Sequence, residues 1–182
     1  MFDYLVIGMV LYEELTGYDI KKRIEVGVGN LLKASHGQLY PALKKLTDKG
    51  YLMMNMQMQG RRQKKYYIAT DAGKTAFKEW LATPFDPNKD GDNYLVKLFL
   101  IGELPREIRT KRLQEYEFHI RKQLHHLEMV EKQIPTEKLS DRNYFEFASF
   151  YYGYQTLHNM LRWVEYIKEQ KPLSGYLCVK DE

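Results

Sequence analysis

Gly60–Tyr67 reads GRRQKKYY, so Arg61, Arg62, Lys64 and Lys65 crowd a glycine-led turn that runs straight into the β-prone Tyr66-Tyr67-Ile68. Four cations at one turn repel each other, a cost that a neighbouring polyanion removes. A nucleic-acid backbone is such a polyanion, and clustered, projecting Lys and Arg are what it attracts. Upstream, Leu39, Ala42, Leu43 and Leu46 recur at three- and four-residue spacing, the pattern of a helix with one apolar face. The opposite arc carries Gln38, Tyr40, Pro41, Lys44, Lys45 and Asp48. From there Lys44 and Lys45 can reach phosphates or guanine edges, with Gln38 and Tyr40 as flanking donors. Ordinary solvation explains any single surface lysine equally well; it is the cluster that points to nucleic acid. Tyr18, Lys21 and Lys22 open an earlier helix, where its N-terminus assists phosphate contact, although Tyr18 also suits a core position.

Other chemistries fail on spacing. GVGNLL at Gly27–Leu32 lacks the third glycine of a dinucleotide loop and follows a helix instead of a strand. Asp86-x-Asn88-x-Asp90-Gly91 begins like a calcium loop, but its twelfth position is Lys97 where a bidentate Glu is required. His119, His125, His126 and Glu128 suggest a metal only superficially, because adjacent helical histidines diverge by about 100°. No nucleophile has a base beside it in any familiar motif, so neither an enzyme nor a cofactor is expected. Cys178 is the single cysteine, which rules out an intrachain disulfide and fits a reducing cytoplasm. The apolar run Tyr4–Tyr12 is too short to span a bilayer and lacks a signal peptide's basic flank, so a soluble cytoplasmic protein without membrane contact is expected.

The elements that must position the cations follow from local patterns. The opening run predicts a helix ending near Leu15. Thr16 and Asp19 form a capping box for a helix that buries Ile20 and Ile24 and ends at Gly27 and Gly29. Ser35, followed by His36, caps the third helix; Pro41 predicts an irregular first turn there, and Gly50 a left-handed stop. Residues 51–59 and 65–70 read as two strands joined by the basic tip. Thr70-Asp71 then caps a helix through Leu81 whose inner side is Ala72, Thr75, Ala76, Trp80 and Leu81.

Thr83–Asn93, with two prolines, a glycine and five Asp or Asn residues, is a linker. Charge changes across it. Residues 1–83 hold 13 Lys and Arg against 8 Asp and Glu, and the remainder 15 against 16. A short helix follows, to Ile101. Pro105 then starts a helix of roughly 40 Å carrying Leu113, Tyr116, Ile120, Leu124 and Leu127, and Pro135 ends it. A second long helix, 141–170, carries Tyr151, Tyr154, Leu157 and Leu161. Two such helices bury their stripes poorly alone, so those residues predict a homodimer interface. Tyr151, Tyr154, His158 and Arg162 could instead line a pocket for a planar carboxylate; core or interface is the commoner use of such aromatics.

The runs LTGYDIKKRI, ASHGQLYPALKKLTDKGYL and GRRQKKYYIATDAGKTAFKEWL resemble the winged-helix domain of the PadR family of bacterial transcription regulators over residues 4–82. The long helices resemble, more loosely, the C-terminal dimerisation region of its longer members. The expected fold is therefore mostly α with a small β-wing. A winged helix-turn-helix domain (1–83), linker (84–93), helical dimerisation domain (94–172) and tail (173–182) make up the chain. The resemblance implies a homodimeric regulator, a repressor or else an activator, on a partly palindromic operator in double-stranded DNA, released in many members by a small ligand, for which a small aromatic effector is the candidate here. The competing reading is a winged-helix protein-interaction module that scaffolds a complex.

Overall fold

The computed structural model describes residues 1–29, 36–60, 62–85, 94–134 and 140–176. The chain divides into two compact units, Met1–Arg109 and Thr110–Glu182.

In the first unit, α1 (Phe2–Met9) is followed by the two-residue strand β1 (Leu15–Thr16) and by α2 (Gly17–Ile24), which runs on as a π-turn through Gly29. A 3-10 turn, His36–Gln38, leads into α3 (Leu39–Asp48). Strands β2 (Leu52–Gln59) and β3 (Arg62–Ala69) form the hairpin, then come α4 (Asp71–Ala82) and α5 (Tyr94–Leu100). The sheet is antiparallel in the order β1-β3-β2, with Leu15 opposite Tyr67 and Leu52 opposite Ala69. The core is one cluster in which Leu5, Val6, Ile7, Val10, Ile20, Leu43, Leu46, Leu52, Phe77 and Leu81 are buried.

Local rules explain most of these boundaries. Thr16 and Asp19 form the capping box: each side chain satisfies the other's backbone N–H. Pro41 falls in the first turn of α3, where a missing N–H leaves no helical bond unmade. The irregularity sits just before it, in the 3-10 turn. Gly50, at φ 71°, ends α3: its N–H donates to the Thr47 carbonyl (2.9 Å) and that of Tyr51 to Leu46 (2.9 Å), a Schellman stop. The Thr70 side chain caps α4 by accepting from the Gly73 N–H.

Three expectations are corrected. The first helix ends at Met9, not near Leu15, because the Val10 carbonyl accepts from the Ala69 N–H (2.9 Å) and ties the chain to the sheet, where Leu15 becomes β1. The inner face of α4 is Gly73, Phe77 and Leu81, while Ala72 and Thr75 are exposed. Gly73 sets that rotation, since a Cβ there would lie 2.1 Å from the Tyr51 carbonyl oxygen. The basic residues do not form a wide tip: β3 begins at Arg62, so Arg62, Lys64 and Lys65 lie in the strand.

The short helix after the linker packs with the first unit. Val96, Leu100 and Leu104 join its core, and Lys97 donates to the Thr83 carbonyl (3.2 Å) and hydroxyl (2.9 Å) at the C-terminus of α4. A cation there offsets the negative end of the helix dipole. The loop residues Asp86, Asn88, Asp90 and Gly91 lie outside the described residues.

The second unit contains most of α6 (Arg106–Glu131), together with α7 (Asp141–Lys168) and α8 (Leu173–Tyr176). Ser140 caps α7 through the Asn143 N–H. Glu117 of α6 binds Lys168 and Arg121, and Arg121 also reaches Glu165, which joins the two long helices by charge. Pro135 lies outside the described residues; α6 itself ends at Glu131. Among the described residues no helix is long and apolar enough to cross a membrane.

Candidate nucleic-acid interface

The N-terminus of α2 presents Tyr18 and Lys22 to solvent, with Lys21 half-buried and paired to Glu25 at 3.7 Å. The core reading of Tyr18 is thereby answered: its ring is on the surface. Asp19 sits among these groups with its carboxyl held below the usual carboxylate range. The Thr16 hydroxyl (2.6 Å) is the main cause, and Lys64 and Arg23 add smaller attractions.

Helix α3 buries Leu39, Ala42, Leu43 and Leu46, which turns Gln38, Tyr40 and Lys44 outward. Tyr40 lies over Gly17, where an added Cβ would approach its ring to 3.0 Å, so the starts of α2 and α3 meet through a residue without a side chain. Lys44 follows Tyr40 by four residues and shares its face. Lys45 is turned about 100° from Lys44, and its ammonium donates to Asp3 of α1 at 2.7 Å. Of two lysines equivalent in sequence, Lys45 is thus tied to α1. His36 opens the 3-10 turn; Ser35 lies outside the described residues.

The hairpin β2–β3 is joined by Gly60 and residue 61, with Gln59 opposite Arg62. Gly60 has φ 62°, the positive value that tight hairpin turns demand. Arg62, Lys64 and Lys65 are exposed, and strand alternation places Arg62 and Lys64 on one face and Lys65 on the other. Arg61 lies outside the described residues. Glu14 escapes sequence reasoning altogether: its carboxylate accepts from Asn55 Nδ2 and Gln57 Nε2, both at 2.5 Å. This bidentate bond fastens the base of the hairpin to the residue preceding β1. Its partners are more than forty positions away, so no local pattern could reveal it.

These elements converge on one recess of about 510 Å³, lined by Thr16, Gly17, Tyr18 and Asp19 of α2 and its cap, Tyr40 of α3, and Lys64, Lys65 and Tyr67 of β3. The Tyr67 phenol is pushed up by burial and further by its neighbour Tyr40, so it stays protonated and able to donate. Phenols and ammonium groups around an open hollow suit phosphate oxygens. The ionised Asp19 repels an anion, and so restricts where in the hollow a phosphate can sit.

In the second unit the expected interface residues divide. Leu113, Tyr116, Ile120 and Leu124 are buried within the single chain, Leu127, Tyr154 and Leu161 are half-buried, and Tyr151 is exposed. The large apolar side chains of Phe118, Tyr144, Phe145 and Tyr152 are exposed as well. Of the four residues considered for a pocket, Tyr154 and His158 lie in a ring stack on α7. Tyr154 stacks on Phe150 at 6.1 Å and meets His158 edge-on at 4.6 Å, while Tyr151 and Arg162 are exposed. The Tyr154 phenol is raised by desolvation and by Glu131 and Glu128 of α6. Among the described residues no group of three or more His, Cys, Asp or Glu is placed to hold a metal.

Comparison with known proteins bears on both units. Residues 6–79 match the transcriptional regulator PadR-like family, and residues 92–170 match the virulence activator alpha C-terminal family. The negative transcriptional regulator PadR of Bacillus subtilis is 36% identical over 107 residues, 57% of this chain and 58% of that protein. A Mycobacterium tuberculosis transcriptional regulator is 29% identical over 77 residues, 42% of this chain and 41% of its own. The alignments thus span about half the length of these curated relatives. Among solved structures, Bacillus subtilis PadR in complex with operator DNA is 27% identical with a TM-score of 0.46, covering 93% of this chain and 98% of that one. The same protein in complex with p-coumaric acid gives 26% and 0.42, covering 92% and 96%. The winged-helix part, residues 6–79, thus belongs to the transcriptional regulator PadR-like family, and the long helices across 92–170 match the virulence activator alpha C-terminal family.

Proposed function

We propose that this protein is a sequence-specific DNA-binding repressor that acts as a homodimer on a pseudo-palindromic operator and is released by a small aromatic acid. The observation that carries the reading is the recess where α2, α3 and β3 bring Tyr18, Tyr40, Lys64 and Lys65 together. With α3 in a major groove, Tyr40, Lys44 and Gln38 meet base edges or phosphates. The hairpin's Arg62, Lys64 and Lys65 then lie on the backbone of the same half-site. The exposed aromatics of α7 supply the twofold contact that repeats this arrangement on the second half-site.

Selection of duplexes from a random pool, followed by titration, tests this. Enrichment of an inverted repeat is expected. For six to ten phosphate contacts, affinity should fall by about 10³–10⁵ between 50 and 200 mM salt. A pool that stays random, with binding only to acidic proteins, would favour a protein-interaction module instead. The effector is tested on the selected duplex with p-coumaric acid and other single-ring aromatic acids. Release by one of them supports the last part of the reading, and indifference to all removes it.

A further inference from the structure

Four of the chain's eight methionines stand in one eight-residue strand, β2: Met53, Met54, Met56 and Met58. Strand alternation places Leu52, Met54, Met56 and Met58 on one face and Met53, Asn55, Gln57 and Gln59 on the other. The first face begins in the core, where Leu52 is 2% exposed opposite buried Ala69. Along it exposure rises to 37% at Met54, 52% at Met56 and 68% at Met58. The core-facing side of the sheet thus continues past the body of the unit as a bare thioether stripe. Its cross-strand partners are Tyr67 for Met54, Lys65 for Met56 and Gln63 for Met58. Tyr67 and Lys65 both line the recess proposed to receive phosphate.

Exposed thioethers are open to two-electron oxidants, and the product is restored by dedicated reductases. We infer that the stripe Met54, Met56 and Met58 is a site of reversible sulfoxidation that weakens the grip of the wing on DNA, an inference that rests on the DNA-binding reading above. In the forward step a sulfur lone pair attacks one oxygen of a peroxide. The O–O bond breaks, the S–O bond forms and water leaves, so sulfur loses two electrons and the peroxide gains them. In the reverse step a dithiol reductant supplies two electrons and two protons, becomes a disulfide and releases the oxygen as water.

The consequence follows from the register. Side chains directly opposite in an antiparallel pair have Cβ atoms about 5 Å apart. A sulfoxide oxygen on Met56 is therefore within reach of the Lys65 ammonium, which it draws away from phosphate. Oxidation also turns a flexible apolar contact surface into a polar, hydrated one. Met53, half exposed on the opposite face beside Ile68, lacks a cationic partner across the strand and supplies the internal control.

The test uses full-length protein carrying Cys178→Ser, so that the reactive sulfur is methionine alone, and a duplex that the unoxidised protein selects from a random pool. After hydrogen peroxide treatment, mass spectrometry should place sulfoxide on Met54, Met56 and Met58. Affinity should fall by about tenfold, the size of one lost charge-assisted contact. Methionine sulfoxide reductase with a dithiol should restore it. Met54→Leu/Met56→Leu/Met58→Leu should bind normally and resist peroxide, while Met53→Leu stays as sensitive as the parent. Met56→Gln/Met58→Gln should bind weakly with no oxidant. Undiminished affinity with sulfoxide on Met56 and Met58, or equal sensitivity in the triple leucine variant, overturns the inference while the DNA reading stands. Failure to select any duplex overturns both.

Discussion

The two units handle apolar surface in opposite ways. The first closes its core: Phe77, Leu5, Ile7 and Leu43 are almost wholly removed from water, and most of what projects from α2, α3 and β3 is tyrosine and cation. The second buries the α6 stripe from Leu113 to Leu124, yet on α7 it buries only Val164 among the described residues and leaves Tyr144, Phe145, Tyr151 and Tyr152 exposed. A core of the first kind holds a shape by itself. An exposed aromatic row of the second kind is what an isologous partner covers. On the proposed reading, the difference separates a part that recognises DNA from a part that pairs.

Substitution in each unit should break a different property. Phe77→Ala removes the largest fully buried side chain among the described residues and leaves a cavity at the junction of α1 and α4. A loss of about 3–5 kcal/mol is expected in chemical denaturation, with DNA binding lost alongside. Phe145→Asp with Tyr152→Asp, by contrast, places charges on a face exposed in the single chain. The protomer should keep its secondary structure while the dimer weakens by about 2–4 kcal/mol, read as a shift to monomer in sedimentation. If the charged double variant stays dimeric, the exposed row is not the twofold contact, and the contrast between the units loses its functional meaning.

Within the first unit, Lys44 and Lys45 carry the comparison to neighbouring positions. Lys44→Ala should weaken operator binding about tenfold with stability nearly unchanged, as loss of one charge-assisted contact implies. Lys45→Ala breaks the partly exposed pair with Asp3 and should cost under about 1 kcal/mol of stability, with a smaller effect on binding. Equal losses of affinity in gel-shift titrations would show that the Asp3 pair opens when DNA arrives.

That pair also marks where legibility ends. Signals carried within a few residues were readable: the Thr16–Asp19 box, the Thr70 cap, the Gly50 stop, the buried stripe of α3 and the two long helices. What depended on distant partners was not. Lys45 and Lys44 look alike until α1 brings up Asp3. The run after Met9 looks helical until β3 claims the Val10 carbonyl. Glu14 is one more surface acid until Asn55 and Gln57 arrive. In α4, hydrophobicity alone pointed to Ala72 and Ala76, whereas a backbone approach at Gly73 fixed the rotation. The recess needed all of these placements, so its residues could be nominated from sequence but not assembled.

Effects of similarly small size come from two carboxylates held below their usual range, one per unit. Asp19 is lowered first by the Thr16 hydroxyl, and Glu117 first by Lys168 and then by Arg121. Each contributes stability that is present above its unfolded pKa, near 3.8 for Asp19 and 4.5 for Glu117, and that disappears as pH falls through the lower folded value. Asp19→Asn and Glu117→Gln should therefore both destabilise at pH 7, by about 1 kcal/mol for the cap, and both differences from the parent should close below the folded pKa values. Only one of them touches the recess. Removing the Asp19 charge frees Lys64 from a competing anion and should raise DNA affinity slightly at pH 7 even as the fold loosens, whereas Glu117→Gln should lower stability with no gain in binding. Opposite signs of stability and affinity in one unit, and not in the other, are what a recognition surface built on a strained electrostatic compromise requires. A fall in affinity for Asp19→Asn would place Asp19 as a cap alone and move the phosphate site elsewhere on α2.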